Sequence, residues 1–139
     1  MDELFPVLPP ERVDALSSLA LAHVGDAVFE LLVRSRLAAE RGSTAESLHR
    51  ETVRLVNAAS QAAFARLLLP KLTEEEAAVY RRGRNAHVNS VPKHMTVGDY
   101  HAATGFEALF GWLWLLGRRE RIGELWESIW QQGSANREQ

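Results

Sequence analysis

Cysteine is missing altogether from the 139 residues, which removes disulfides, thiolate metal sites and cysteine nucleophiles from consideration. A reducing compartment is compatible with that absence. Also missing is any excess of positive charge: 16 Lys and Arg stand against 18 Asp and Glu, a formal net charge of −2. Broad, non-specific attraction to nucleic acid is therefore not built into the chain, and any such contact must come from a local basic surface. The first residues, Met1-Asp2-Glu3-Leu4-Phe5-Pro6, lack the basic and apolar regions of a secretory signal. The longest apolar run, near Phe106 to Leu116, is too short to span a bilayer and contains Glu107. A soluble, cytoplasmic protein without a membrane partner is the expectation. No period-2 run is long enough for a convincing strand.

What is present is helical periodicity over the whole chain, read as one domain over 1–139, all-α, with about six to seven helices. Pro9-Pro10 opens a short first helix, and a long apolar helix covers roughly Ser17 to Glu40, ended by Gly42. Ser43 followed by Glu46 reads as a capping box for a helix from about Thr44 to Asn57. A fourth helix runs from about Ala59 to Leu69, closed by Pro70. Thr73 and Glu76 form a second capping box, opening a helix that ends near Arg82-Gly83. Residues 84–95 read as the one long loop. Helices from about Val97 to Leu116 and Glu120 to Gln131 follow, with frayed residues from Gly133. Trp112, Trp114, Trp126 and Trp130 are read as core or interface packing.

Two acids stand out because they sit in apolar helices. Asp26 lies in Leu19-Ala20-Leu21-Ala22-His23-Val24-Gly25-Asp26-Ala27-Val28-Phe29, and Glu107 in Gly105-Phe106-Glu107-Ala108-Leu109-Phe110-Gly111-Trp112. An unpaired buried carboxylate costs several kcal/mol unless it is paired, protonated or bound to metal. Neither acid has a Lys or Arg one helical turn away, and Asp26 has the like charge of Glu30 at i+4. Both are flanked by small residues (Gly25 and Ala27, Gly105 and Ala108), which lets their helices approach closely. Two acids meeting in a tight, apolar crevice make a place for a hard divalent cation. The other reading is an interhelix salt bridge in a protein–protein adaptor, which requires a basic partner beside each acid. Glu30 pairs most simply with Arg34 at i+4 and is otherwise a residue behind the metal ligands.

A third feature is the stretch from Arg81-Arg82-Gly83-Arg84-Asn85-Ala86-His87 to Pro92-Lys93-His94, which contains no acid. Arginine forks suit phosphate oxygens, and Gly83 would let a backbone approach closely. Contacts of that kind read the shape of A-form RNA rather than its sequence. The alternative is a solvated helix C-terminus whose arginines complement the dipole.

These segments resemble a known family. Leu21-Ala22-His23-Val24-Gly25-Asp26-Ala27-Val28-Phe29-Glu30 is similar to the signature helix of ribonuclease III endonuclease domains, and more narrowly of Mini-ribonuclease III, the bacterial subfamily without a double-stranded-RNA-binding domain. Arg81-Arg82-Gly83-Arg84-Asn85-Ala86, Pro92-Lys93 and Thr104-Gly105-Phe106-Glu107-Ala108-Leu109 agree in order and spacing, from about Leu16 to Leu125. The resemblance implies the helical ribonuclease III fold and a homodimer holding double-stranded RNA in a valley across both subunits. It implies Mg2+-dependent hydrolysis, with Mn2+ as a substitute, leaving 5′-phosphate and 3′-hydroxyl ends, and the precursor of 23S ribosomal RNA as substrate. Asp26 falls on the signature aspartate and Glu107 on the metal-binding glutamate, giving both a catalytic and metal-binding role. Arg81, Arg82, Arg84, Asn85 and Lys93 become RNA contacts. Full-length ribonuclease III enzymes have a glutamate where this chain has Ala22 and an aspartate where it has Thr104. These losses match the smaller subfamily and leave fewer protein ligands for the metal, with Thr104 placed to hold a water through its hydroxyl. A catalytically silent RNA-binding member of the same fold is the alternative. His23 and His94 stand where Tyr and Asn are expected, and Glu46 lies near another acidic position of the larger enzymes.

Overall fold

The computed structural model describes residues 7–41, 44–86 and 90–137, and among them every regular element is helical. In chain order these are α1 (Pro10–Asp14), α2 (Ser18–Arg41), α3 (Ala45–Val56), α4 (Ala58–Leu68), a 3-10 turn over Leu69–Lys71, α5 (Glu74–Arg84), α6 (Val97–Leu115) and α7 (Arg119–Arg137). The all-α expectation is borne out. No helix among the described residues is long and apolar enough to cross a membrane.

The caps explain where the helices start. Thr44, not Ser43, caps α3 by accepting from the Ser47 N–H at 3.2 Å. Ser43 and Gly42 lie outside the described residues. Asn57 ends α3 and caps α4 through a 2.9 Å bond from Ser60 N. The Thr73–Glu76 capping box forms in both directions, at 3.1 and 3.0 Å. Gly117, at φ +75, closes α6 in a left-handed conformation, with Gly117 N bonded to Trp114 O and Arg118 N to Leu113 O. Two boundaries differ from expectation. Helix α5 continues through Gly83 to Arg84, because Gly83 is buried inside it. The backbone of α7 stays helical past Gly133 to Arg137, where fraying was expected.

Helix α6 is the axis of the domain, with α2, α4, α5 and α7 packed around it. From Ala103 to Leu113 every residue is buried except Glu107, which is half-buried. A helix apolar on all sides needs such a jacket. Helix α2 is different. It buries one stripe, Leu21, Ala22, Gly25, Val28, Phe29, Val33 and Leu37, and leaves a second apolar face outside, with Leu31 56% exposed. The core centres on Phe29, which meets Phe106 edge-on at 4.9 Å and Trp126 at 5.8 Å. Trp112, Trp126 and Trp130 are buried, as the packing reading requires, and Trp114 is partly so.

Candidate active site

The site begins at a helix crossing. A β-carbon added at Gly25 would lie 1.6 Å from the Glu107 carbonyl oxygen, and one added at Gly111 would lie 1.9 Å from the Leu21 carbonyl oxygen. Helices α2 and α6 therefore touch backbone to backbone, which only glycine allows. Asp26 follows Gly25 directly, so the crossing delivers its carboxylate to that of Glu107. The small residues divide their work differently from the sequence expectation. Gly25 does meet α6, at the Glu107 carbonyl and at Gly111. Gly105 and Ala108 face α5, where Gly83 packs against them. Gly83 is thus a packing residue between α5 and α6, unable to offer its backbone to a phosphate.

The Asp26 carboxyl lies within hydrogen-bonding reach of that of Glu107. Burial pushes the Glu107 carboxyl from 4.5 up to about 8, with the bond to Asp26 and the repulsion of its charge adding to the rise, while Gln61 opposes it. Among the described residues neither acid has a Lys or Arg ion-pair partner. The adaptor reading required one beside each. The expected enclosed crevice is only half formed: Asp26 is exposed, so the pair opens to solvent on one side.

The donor set suits a hard cation. Two carboxylates without a basic counter-charge are electrostatically frustrated, and oxygen ligands match Mg2+ or Mn2+. Among the described residues no cluster of three or more His, Asp or Glu surrounds the pair. Such a cation would therefore complete its shell mostly with water and phosphate oxygens. Ala22 is buried core. Thr104 is buried and donates its hydroxyl proton to Tyr100 O at 3.0 Å, so it can serve a water only as an acceptor. Glu30 is held by Arg34 at 2.6 Å, the i,i+4 pair its spacing suggests. Glu46 is exposed and reaches Arg50 at 3.5 Å.

Sequence reasoning passes over Gln61. Its amide donates to Glu107 Oε2 at 3.4 Å from the α4 side. The signal was available: α4 buries Ala58, Gln61, Ala62, Ala65 and Leu68, and one polar residue in an otherwise apolar stripe asks for a buried partner.

The basic segment splits between helix and loop. Arg81, Arg82 and Arg84 form the exposed last turn of α5, Asn85 is its C-cap, and Lys93 lies exposed in the following turn. None of the four cations has an acidic partner among the described residues. Arg84 rests over the Tyr80 ring at 5.8 Å and donates to Asn85 Oδ1 at 3.3 Å. His87 and Asn89 lie outside the described residues. His94 lines a cleft with Asn57 and Asp99, and His23 lines an apolar groove along α2.

A profile of the Ribonuclease III domain matches residues 19–118, which hold both acids, Gln61 and the whole basic segment. The chain belongs to the ribonuclease III family. Its relatives lie on the Mini-ribonuclease III branch, as the four motifs suggest. It is 49% identical over 111 residues to the Mini-ribonuclease 3 of Symbiobacterium thermophilum, covering 79% of this chain and 85% of that one. The Mini-ribonuclease 3 of a Thermoanaerobacter strain is 43% identical over 121 residues, 87% of this chain and 85% of its own length. An X-ray structure of a protein from Fusobacterium nucleatum superposes with a TM-score of 0.78 at 28% identity, covering 86% of this chain and 95% of that one. With this domain and these relatives, the chain is an endoribonuclease of the Mini-ribonuclease III type.

Proposed function

We propose that this endoribonuclease cuts double-stranded RNA as a Mg2+-dependent homodimer, with Asp26 and Glu107 holding the cation in each subunit. The observation that carries the reading is the meeting of these two acids at the Gly25–Gly111 crossing with no basic residue to neutralise them. Hydrolysis joins a water oxygen to the phosphorus and releases the 3′ oxygen, which takes up a proton. The products are a 5′-phosphate and a 3′-hydroxyl. Mg2+, with Mn2+ as substitute, supplies the charge that stabilises the phosphoryl oxygens and lowers the pKa of the attacking water. The chain's own groups do the holding. Asp26, being exposed, presents its oxygens towards solvent, and Glu107 anchors the inner side. Arg81, Arg82, Arg84, Asn85 and Lys93 hold the RNA backbone without reading bases.

Helix α2 supports a second subunit. Its outer face leaves Leu31 and Leu19 exposed and, with Trp114, lines an apolar groove through Val24, Ala27 and Leu32. A second copy of the same helix covers such a face symmetrically. Within duplex RNA, the precursor of 23S ribosomal RNA in the cytoplasm is the proposed substrate, on the strength of the likeness to Mini-ribonuclease III.

The test is incubation of long, perfect duplex RNA with the protein, with and without Mg2+, followed by end analysis. Cleavage that needs the cation and leaves 5′-phosphate ends is expected. Cutting that persists in chelator, or 2′,3′-cyclic ends, would contradict the reading. Sedimentation at micromolar concentration should show a dimer, and a monomer would remove the second subunit from it.

A further inference from the structure

We propose that Gln61 is a positioning residue for the metal site, fixing the Glu107 carboxylate by donating its amide N–H to one oxygen. The proposal rests on the reading that Asp26 and Glu107 hold the cation, and it deepens that reading by giving the inner acid a fixed orientation.

Gln61 is 2% exposed and sits among Ala58, Ala62, Ala65 and Leu68 on the core-facing stripe of α4. Nothing in the packing of that stripe needs an amide, and an apolar side chain of the same length would fill the space. The amide is directed at a particular atom, Glu107 Oε2, at 3.4 Å. Glu107 is also the one residue between Ala103 and Leu113 that is not fully buried, so its carboxylate lies where the α2–α6 crossing and α4 converge. A glutamate side chain has three rotatable bonds and is a poorly defined ligand unless something arrests it. A donor on one oxygen arrests the last rotation and leaves the other oxygen's direction set. Groups that orient metal ligands in this way typically change metal affinity by about 10- to 100-fold when removed.

An amide is the right chemistry for this place. It donates to the carboxylate without adding charge. An acid at the same position would add a third negative group to a pair that already repels, and an apolar residue would leave the oxygen free.

The experiment uses Gln61→Met, Gln61→Glu and, as control, Asp26→Asn. For each full-length protein two quantities are read: the rise in Tm caused by Mg2+ without RNA, and the Mg2+ concentration giving half-maximal cleavage of duplex RNA. Gln61→Met is expected to fold with an unchanged metal-free Tm, to lose most of the Mg2+-induced rise, and to need about tenfold more Mg2+. Gln61→Glu is expected to melt lower without metal and to gain more than wild type when Mg2+ is added. This variant carries the test if Gln61→Met does not fold. The proposal is overturned if Gln61→Met keeps the wild-type Mg2+ response while melting lower, which is the behaviour of a packing residue. It is equally overturned if Gln61→Glu responds to Mg2+ as wild type does. Asp26→Asn separates the two levels: if it retains the full Mg2+-induced rise, the metal reading itself fails and takes the proposal with it.

Discussion

At the scale of single residues, the protonation of Glu107 governs behaviour. Its folded-state carboxyl titrates at about 8 against an ordinary 4.5, so the folded protein holds a proton that the unfolded chain releases. The stability associated with that proton is fully present below pH 4.5 and is lost as pH rises through 8. Metal-free protein should therefore lose stability by up to a few kcal/mol between those values. Glu107→Gln should flatten that slope, and Mg2+ should remove it by supplying positive charge to the ionised pair. Thermal melts across this pH range, with and without Mg2+, check all three. The two acids were legible in the sequence because each interrupts an apolar helix with no Lys or Arg one turn away. Gln61 was passed over: its place in the apolar stripe of Ala58, Ala62, Ala65 and Leu68 marks it as needing a polar partner, but that the partner is Glu107 follows only from the packing of α4. Thr104 was visible as a substitution, but the destination of its hydroxyl proton, the Tyr100 carbonyl, is a matter of rotamer.

At the scale of helices, two junctions hold the site. The first is the glycine crossing. Gly111→Ala places a methyl 1.9 Å from the Leu21 carbonyl, so α2 and α6 must separate. The expected cost is about 1–3 kcal/mol or more, with loss of Mg2+-dependent cleavage beyond what the drop in Tm explains. Wild-type activity in a folded Gly111→Ala protein would show that the acids tolerate a wider crossing. The second junction ties α5 to α7. Glu76, only 3% exposed, receives two bonds from Arg121 at 2.8 and 2.9 Å, and Arg121 also reaches Lys71 O and Glu124. The Arg121 bond, working against burial, holds the Glu76 carboxyl below its usual range. That stability is present above the ordinary 4.5 and is lost as pH falls through the lower folded value. Arg121→Leu strands the buried charge and should destabilise by about 3–5 kcal/mol, read by denaturant unfolding at neutral pH. Sequence reasoning saw the capping role of Glu76 because a capping box is local. It missed the ion pair because Arg121 is 45 positions away. The glycines divide the same way. Their presence signalled close helices, but which helix each one meets depends on the crossing geometry, and so Gly83 and Gly105 join α5 to α6 instead of serving the acids or RNA.

At the scale of the molecule, a net charge of −2 makes a local basic surface necessary for RNA binding, and the proposed one is the end of α5 with the turn after it. Arg84→Ala or Lys93→Ala should weaken duplex RNA binding at all sequences and reduce the slope of log affinity against log salt by about one unit each. Binding isotherms at several salt concentrations give that slope, and an unchanged value would return these side chains to solvent and helix dipole alone. The architecture was readable from periodicity and caps: α6 is apolar on every side and sits at the centre. Helix α2 is also apolar nearly all round in sequence, which leaves a face to cover once the core is filled, and it buries one face and exposes the other. Hydrophobicity cannot distinguish a face turned to the core from one turned to a second subunit.

Cleavage of RNA is proposed to depend on a cation held jointly by Asp26 and Glu107. The most direct test is cleavage of long duplex RNA by Asp26→Asn and Glu107→Gln, each with helix content and Tm confirmed near wild type. Both variants are predicted to leave the RNA intact at saturating Mg2+. Cleavage by either one at the wild-type rate, with the same dependence on Mg2+, would rule out that role for the pair.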